Sequence, residues 1–468
     1  MDEPQNPLRS IPSVSRLLAD PAVQSRAEGL SHAEVVRAVR TAVDARRADL
    51  QSSDPRQTDL VADILDQLDR VPRNPLPPVI NATGVLLHTG LGRAPLTEAA
   101  AEAVAQAARN YVPLEIELAT GDRGRRADTV RPLLTALTGA DSAAVVNNGA
   151  AALVLALAAV AADKEVIVSR GELIEIGGGF RLPEIMQASG ARLVEVGTTN
   201  RTRLADYRRA IGPDTAAVLK VHPSNYRITG FSESIDVAPL AALAREHELP
   251  MLFDAGSGAL ADQTQQGLPA EPSIQAAVAD GAHLTMFSGD KLLGGSQAGL
   301  IVGHSDWVRR CETHPLMRAF RVDKLTLAAL AAVLRAHADA GPSPEDQSPV
   351  AIAAATESLD TLRCRAESIL AQLAGLESQA TVSIEPAEAY LGGGSTPDAA
   401  IESIALRVAP ATMTEDRLAE RLRTGPVPVV PRLRDGAVWL DLRSVFPRQD
   451  EPLAAALRQA LGSETTDD

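Results

Sequence analysis

Two stretches decide the fold: PMLFDAGSG at residues 250–258 and LTMFSGDKLLGGSQAGLIVG at residues 284–303. Each opens with a short run of apolar, β-prone residues and then breaks into small residues suited to a turn. Asp254 closes the first apolar run. Lys291 follows Ser288 and Asp290 inside the Ser/Gly-rich turn of the second. Similar runs lie outward from these: AAVVN (143–147), EVIVS (165–169), ARLVEVG (191–197) and AAVLKV (216–221). They alternate with helical stretches between about residues 79 and 335. Apolar strands flanked by helices predict a mostly parallel sheet covered on both faces.

An acid at the carboxyl end of a buried parallel strand sits where open α/β sheets place ligands. There a carboxylate can keep the ring nitrogen of pyridoxal phosphate protonated, so that the ring draws electrons from a substrate α-carbon. The same Asp254 could instead cap the next helix. Lys291 can form a Schiff base with the aldehyde of that cofactor and serve as acid and base at the α-carbon. Alone it would read as a solvated surface lysine. Its pairing with a strand-end acid some 37 residues upstream favours the functional reading. Only Lys164, Lys220 and Lys324 compete with it in this section.

A third element, VVNNGAAALVLAL (145–157), reads as strand, small-residue turn and helix. The backbone N–H groups of Asn148, Gly149 and Ala150 would face an anion at the helix start. A small-residue turn also serves tight packing. Ser288 is placed to bond a phosphate. Cradle, Asp and Lys, in that order, match the arrangement of fold-type-I pyridoxal-phosphate enzymes.

The chain has 468 residues, 45% hydrophobic and 22% charged, which suits a globular protein of two or three domains. Two cysteines, Cys311 and Cys364, make no disulfide framework and favour a reducing compartment. The first residues, MDEPQNPLRS, are polar and acidic, and no secretory signal is read in them. The longest apolar run, residues 149–162, is too short to span a bilayer. A cytoplasmic protein with no membrane association and no metal centre is expected. The net charge of −15 argues against sequence-independent nucleic-acid binding, so any RNA contact must use locally concentrated basic residues.

Residues 1 to about 70 read as helical, with Leu17, Leu18, Val35, Val36, Val39, Val43, Leu60, Ile64, Leu65 and Leu68 at spacings of three and four. Ser31 and Glu34 form a candidate capping box. VPRNPLPPV (71–79) marks a linker. After ADAGPSPEDQSPV (338–350) comes one long helical stretch over residues 351–376, then alternating runs such as SIALRVA and AVWLDLRSV, which predict an α+β domain. The final SETTDD is expected to be disordered. GGG at 392–394 reads as a flexible turn.

Beyond these features the chain resembles one family closely. INATGVLLHTGLGRAPL (80–96), LATGDRGRR (118–126), VSRGELIEIGG (168–178), RLPEIMQASGARLVEVGTTNRT (181–202), KVHPSNYRI (220–228), FSGDKLLGGSQAG (287–299) and HPLMRAFRVDKLTLAAL (314–330) are similar to the signature blocks of bacterial selenocysteine synthase. LRSIPSVSRLL (8–18), GGGSTP and WLDLRSV resemble its terminal blocks. The resemblance implies a fold-type-I transferase with a helical tRNA-binding domain (1–73), a large cofactor domain (79–340) and a C-terminal α+β domain (350–468). It implies conversion of L-seryl-tRNA(Sec) to selenocysteinyl-tRNA(Sec) with selenophosphate, through an aminoacrylyl intermediate on pyridoxal phosphate. A homo-oligomer built from dimers, up to a decamer, is also implied.

Carried over by motif, Lys291 is the cofactor lysine, Asp254 the ring-nitrogen partner and Asp290 a further catalytic acid. Arg93, Arg318 and Arg321 match arginines used for the selenium-donor anion. Guanidinium forks bind phosphate oxygens bidentately, and residues 318 and 321 would share a helical face. Arg37, Arg40, Arg46 and Arg47 are candidates for gripping tRNA, with a solvated mixed-charge helix as the alternative. The chain departs from the family pattern at Gly90, Gly149 and Pro431. His88, Glu172, Glu175, Ser224 and Asn225 could line the site and stay outside the catalytic assignment. A lyase or aldolase acting on a small amino acid would use the same Lys291 and Asp254 without needing residues 1–70. A tRNA-binding protein without catalysis is the other alternative.

Overall fold

The computed structural model describes residues 11–51, 59–69, 71, 74, 76–264, 267–339 and 349–462. The tail SETTDD, most of the 338–350 break and part of the 71–79 linker lie outside the described residues. The chain divides into two compact units, Met1–Pro78 and Val79–Asp468.

The first unit holds helices α1 (Val14–Leu18), α2 (Pro21–Arg26), α3 (His32–Leu50) and α4 (Leu60–Asp69). Of the predicted apolar stripe, Leu17, Val35, Val39, Val43, Ile64 and Leu68 are buried together, joined by Val23, while Leu18, Leu60 and Leu65 pack half-buried against them. Ser31 starts α3 through a reciprocal pair of bonds: its Oγ accepts from Glu34 N, and Glu34 Oε2 accepts from Ser31 N. Arg37 and Arg40 stand three apart and exposed on α3. Arg46 pairs with Asp49 and Arg47 with Asp44, so much of this helix's charge is answered locally.

The second unit contains two large sheets. Its strands are β1 (Ile80–Ala82), β2 (Ser142–Val146), β3 (Glu165–Ser169), β4 (Glu175–Ile176), β5 (Phe180–Arg181), β6 (Arg192–Val196), β7 (Thr215–Val221), β8 (Met251–Gly256), β9 (Leu284–Ser288), β10 (Gly299–Gly303), β11 (Ala380–Gly392), β12 (Ser395–Pro410), β13 (Val429–Arg434) and β14 (Ala437–Asp441). The seven-stranded sheet runs β2-β10-β9-β8-β7-β3-β6. Only β10 opposes its neighbours β2 and β9; the pairings from β9 through β6 are parallel. This is the mostly parallel sheet expected from the sequence.

Strand side chains alternate between two cores, as the pleat requires. Met251, Phe253, Val218, Ile167 and Leu300 enter one; Leu252, Leu219, Val166, Val168 and Ile301 enter the other. The first core is closed by α5 (Glu98–Arg109), α6 (Arg131–Thr138) and other helices, the second by α7 (Gly149–Ala161) and α8 (Leu182–Gln187) among others. Helix α7 is apolar on nearly all sides because most of it packs into that second core.

The five-stranded sheet, β1-β13-β14-β12-β11, is antiparallel except that β1 joins β13 in parallel. Ile80–Ala82 thus belongs to the C-terminal sheet, although in sequence it opens the section read as the large domain. The long helix expected over 351–376 is two helices, Val350–Thr356 and Leu359–Gln372. Glu357 is extended, and the Ser358 side chain caps the second helix by accepting from Thr361 N. Buried Arg443 gathers the freed carbonyls of Ala354, Ala355 and Glu357 at the break. Asp441, also buried, accepts from Ser403 Oγ, Arg432 and Arg443 N. The WLDLRSV motif is in this way a fastening of the small sheet.

Candidate active site

The carboxyl ends of β7, β8 and β9 and the amino end of α7 surround one cavity of about 390 Å³. Asn148, Gly149, Ala150, Asp254, Ser288, Lys291 and Arg93 all line it. Strands fix the reach of Asp254 and Ser288, and the turn after β9 brings Lys291 to the same cavity. Burial pushes the Asp254 carboxyl above the usual carboxylate range, against the pull of Lys291 and the Gly256 N–H. Burial also lowers Lys291, helped by the Arg93 charge and opposed by Asp254, Asp290 and Glu271. A neutral fraction of amine is what a nucleophilic lysine needs.

At the start of α7, Asn148 Oδ1 accepts from Ala151 N at 2.8 Å. The N–H groups of Gly149 and Ala150 belong to the first turn, which has no intrahelical acceptors for them. A Cβ on residue 149 would sit 2.8 Å from Ser288 Oγ. Glycine therefore leaves open a niche bounded by a hydroxyl and a helix N-terminus, as an anion cradle requires. An amine, an acid and an anion cradle on one cavity are the groups that a phosphorylated pyridine aldehyde needs, so the residues present fit pyridoxal phosphate.

Arg93 holds its backbone at φ 63, in the left-handed region that disfavours side chains. Its Nη1 donates to Asp290 at 2.7 Å. Asp290 is buried and meets the cavity through Arg93 rather than lining it. Arg318 and Arg321 are exposed and do not line the cavity of a single chain. The expected shared helical face is absent. The helix ends at Phe320, and Arg321 is extended, forming an antiparallel bridge with Val146.

Ser224 and Asn225 line the cavity. Glu172 does not: it accepts from Lys220 Nζ and Val221 N, both at 2.9 Å. Glu175 pairs with Arg181 at the surface. His88 lines a small adjoining cavity of about 90 Å³ together with Arg93.

Two features escaped the sequence reading. Gly392, Gly393 and Gly394 form the tip of the β11–β12 hairpin with φ of 73, 63 and 76. The tip is a wall of the cavity: a Cβ on residue 394 would lie 3.6 Å from Lys291 Nζ. Three successive glycines between two strands were the available signal. The second is His222, whose Nε2 lies 3.3 Å from buried Glu271 Oε2. Burial pushes Glu271 up, but His222 and Ser257 beside it and the bond from Thr396 N hold it below the usual carboxylate range.

Among the described residues no cluster of His, Cys, Asp and Glu could hold a metal ion, and no helix is long and apolar enough to cross a membrane.

The fold is shared with a solved structure, D-glucosaminate-6-phosphate ammonia-lyase, at TM-score 0.58 and 22% identity, covering 82% of this chain and 95% of that one. The L-seryl-tRNA(Sec) selenium transferase of Moorella thermoacetica is 45% identical over 465 residues, 98% of each chain. That of Carboxydothermus hydrogenoformans is 42% identical over 446 residues, covering 94% of this chain and 95% of the relative. The family model for the selenocysteine synthase N terminus matches residues 8–47. The model for L-seryl-tRNA selenium transferase matches residues 79–446, and with relatives of this identity along its length the chain belongs to that family.

Proposed function

We propose that this chain replaces the hydroxyl of serine, esterified to its selenocysteine tRNA, with selenium from selenophosphate, and that it binds pyridoxal phosphate to do so. The observation that carries the proposal is the joint lining of one cavity by Lys291, Asp254 and the Asn148–Ala150 cradle. The names of the relatives supply the substrate. When bound, the cofactor supplies an electron sink for the substrate α-carbon.

The residues divide the remaining work. Lys291 offers its amine to the aldehyde and moves the proton at the α-carbon. Asp254 holds a proton on the ring nitrogen. The Gly149 and Ala150 N–H groups and the Ser288 hydroxyl bind phosphate, with Asn148 fixing the helix start. Asp290 orients Arg93 toward a donor anion, which the guanidinium fork binds bidentately. Arg318 and Arg321 serve the same anion when presented by a neighbouring copy in a dimer-based homo-oligomer. The exposed arginines of α3 meet the tRNA, where shape counts as much as charge. Such a protein works in the cytoplasm.

The test is selenium transfer by the cofactor-loaded protein from selenophosphate to seryl-tRNA(Sec), with ordinary seryl-tRNA as control. Conversion of the first alone is expected. Conversion of neither, or turnover of free serine at the same rate, refutes the proposal.

A further inference from the structure

A second cavity, of about 470 Å³, shares His222 with the first. We infer that it receives the 3′-terminal nucleoside of the aminoacylated RNA whose amino acid occupies the first cavity. This rests on the reading of the chain as an enzyme of seryl-tRNA.

Connectivity is the first argument. An aminoacyl ester joins the reacting amino acid directly to the terminal ribose. With the seryl group at Lys291, the ribose is only a few bonds away, and the adjoining chamber lies past His222. Size is the second. The volume falls within the roughly 300–1,000 Å³ of pockets that enclose whole small molecules. A serine side chain or a donor anion needs far less.

Chemistry is the third. The carboxylates of the chamber already have neighbours: Glu172 pairs with Lys220, Glu233 with Arg201 and Arg203, and Glu271 accepts from Thr396 N through Oε1, with His222 Nε2 3.3 Å from its Oε2. Arg227 also lines it and has no acidic partner among the described residues. The Tyr226 hydroxyl is committed to Gly171 O, which fixes the ring as the aromatic wall. Unstacked RNA bases settle on aromatic and guanidinium planes and bond through their edges and the 2′-hydroxyl. Thr396 Oγ1, at the hairpin tip and on this lining, is buried with no hydrogen-bond partner. A buried hydroxyl left so points to a ligand group that completes it. Because Thr396 N also bonds Glu271, the hairpin that walls the first cavity helps form the second.

The experiment uses the full-length, cofactor-loaded protein with Arg227→Ala and Ser234→Trp, which remove a base or phosphate contact and fill the chamber from its exposed rim. Steady-state selenium transfer is measured against seryl-tRNA(Sec), and a labelled CCA trinucleotide is titrated by fluorescence anisotropy. Each variant is expected to raise the KM for seryl-tRNA roughly tenfold and to weaken trinucleotide binding as much, the size of losing one base contact. The visible absorbance of the bound cofactor and the KM for selenophosphate stay within about twofold. If seryl-tRNA KM and trinucleotide affinity stay within about twofold in both variants, the inference is overturned. Should Ser234→Trp fail to load cofactor, Arg227→Ala alone decides. Trinucleotide binding that the variants lose, in a protein without selenium transfer, keeps the chamber and removes the proposed reaction.

Discussion

Gly394→Ala probes the hairpin tip against the reactive lysine. At φ 76 an alanine costs about 1–2 kcal/mol from backbone crowding alone. Its methyl would stand 3.3 Å from Ser224 Oγ and 3.6 Å from Lys291 Nζ. The first contact is tighter than ordinary packing, so Ser224 or the tip must yield, and overpacking of this kind adds about 1–3 kcal/mol. Gly375→Ala isolates the backbone cost, because φ there is 88 and nothing lies within 4 Å of the added carbon. Urea unfolding of the two variants should therefore differ by about 1–3 kcal/mol, with Gly394→Ala the weaker. If the tip retreats, the cofactor site loosens, and affinity falls about tenfold for each 1.4 kcal/mol so spent. A cofactor titration followed by visible absorbance reads this, and Gly375→Ala should match the wild type. Equal losses of stability, with equal cofactor affinity, would refute the claim that the tip presses on the site.

Four further outcomes are expected. Lys291→Ala should lose the visible absorbance of the lysine-bound cofactor together with selenium transfer; retained transfer would dismiss its assigned role. Because burial raises the Asp254 pKa, its native-state advantage is present below the unfolded carboxylate value and lost as pH rises through the folded one. Cofactor-free Asp254→Asn should lack that decline in its urea midpoint while binding cofactor more weakly; a midpoint that tracks the wild type across pH would contradict this. Ser31→Ala should cost about 1 kcal/mol at the start of α3, seen as faster amide exchange over residues 32–36. Gly84→Ala should destabilise by about 3 kcal/mol or more, since its Cβ would lie 2.5 Å from Asp441 Oδ2 at φ 73; a urea midpoint near the wild type would count against it.

What could be read from sequence was what is encoded locally. Asp254, Lys291 and the Gly149 turn each announce themselves through a strand run that stops at a chemically useful residue, and the structure brings all three to one cavity. The apolar spacing of α3 and α4 became a buried core for the same reason. Contacts between distant residues left no such trace. Arg93 finds Asp290 across 197 positions. The hairpin tip reaches Lys291 from the other sheet, so its glycines looked like slack when they are clearance. His222 carries no local signal, since its neighbour Glu271 comes from a distant part of the chain. The expected helical face of Arg318 and Arg321 failed because the chain turns extended at Arg321 to bridge Val146, a pairing no local period reveals.

Strand β1 has a consequence for how this chain emerges from the ribosome. Its partner β13 lies roughly 350 residues downstream, so at typical synthesis rates Ile80 waits about 20–70 s for Val429 to appear. During that interval the nascent large sheet can assemble, but the segment leading into it has an open edge. Truncations that stop short of β13 would leave that edge permanently unsatisfied, and such fragments should self-associate instead of yielding a free-standing catalytic half.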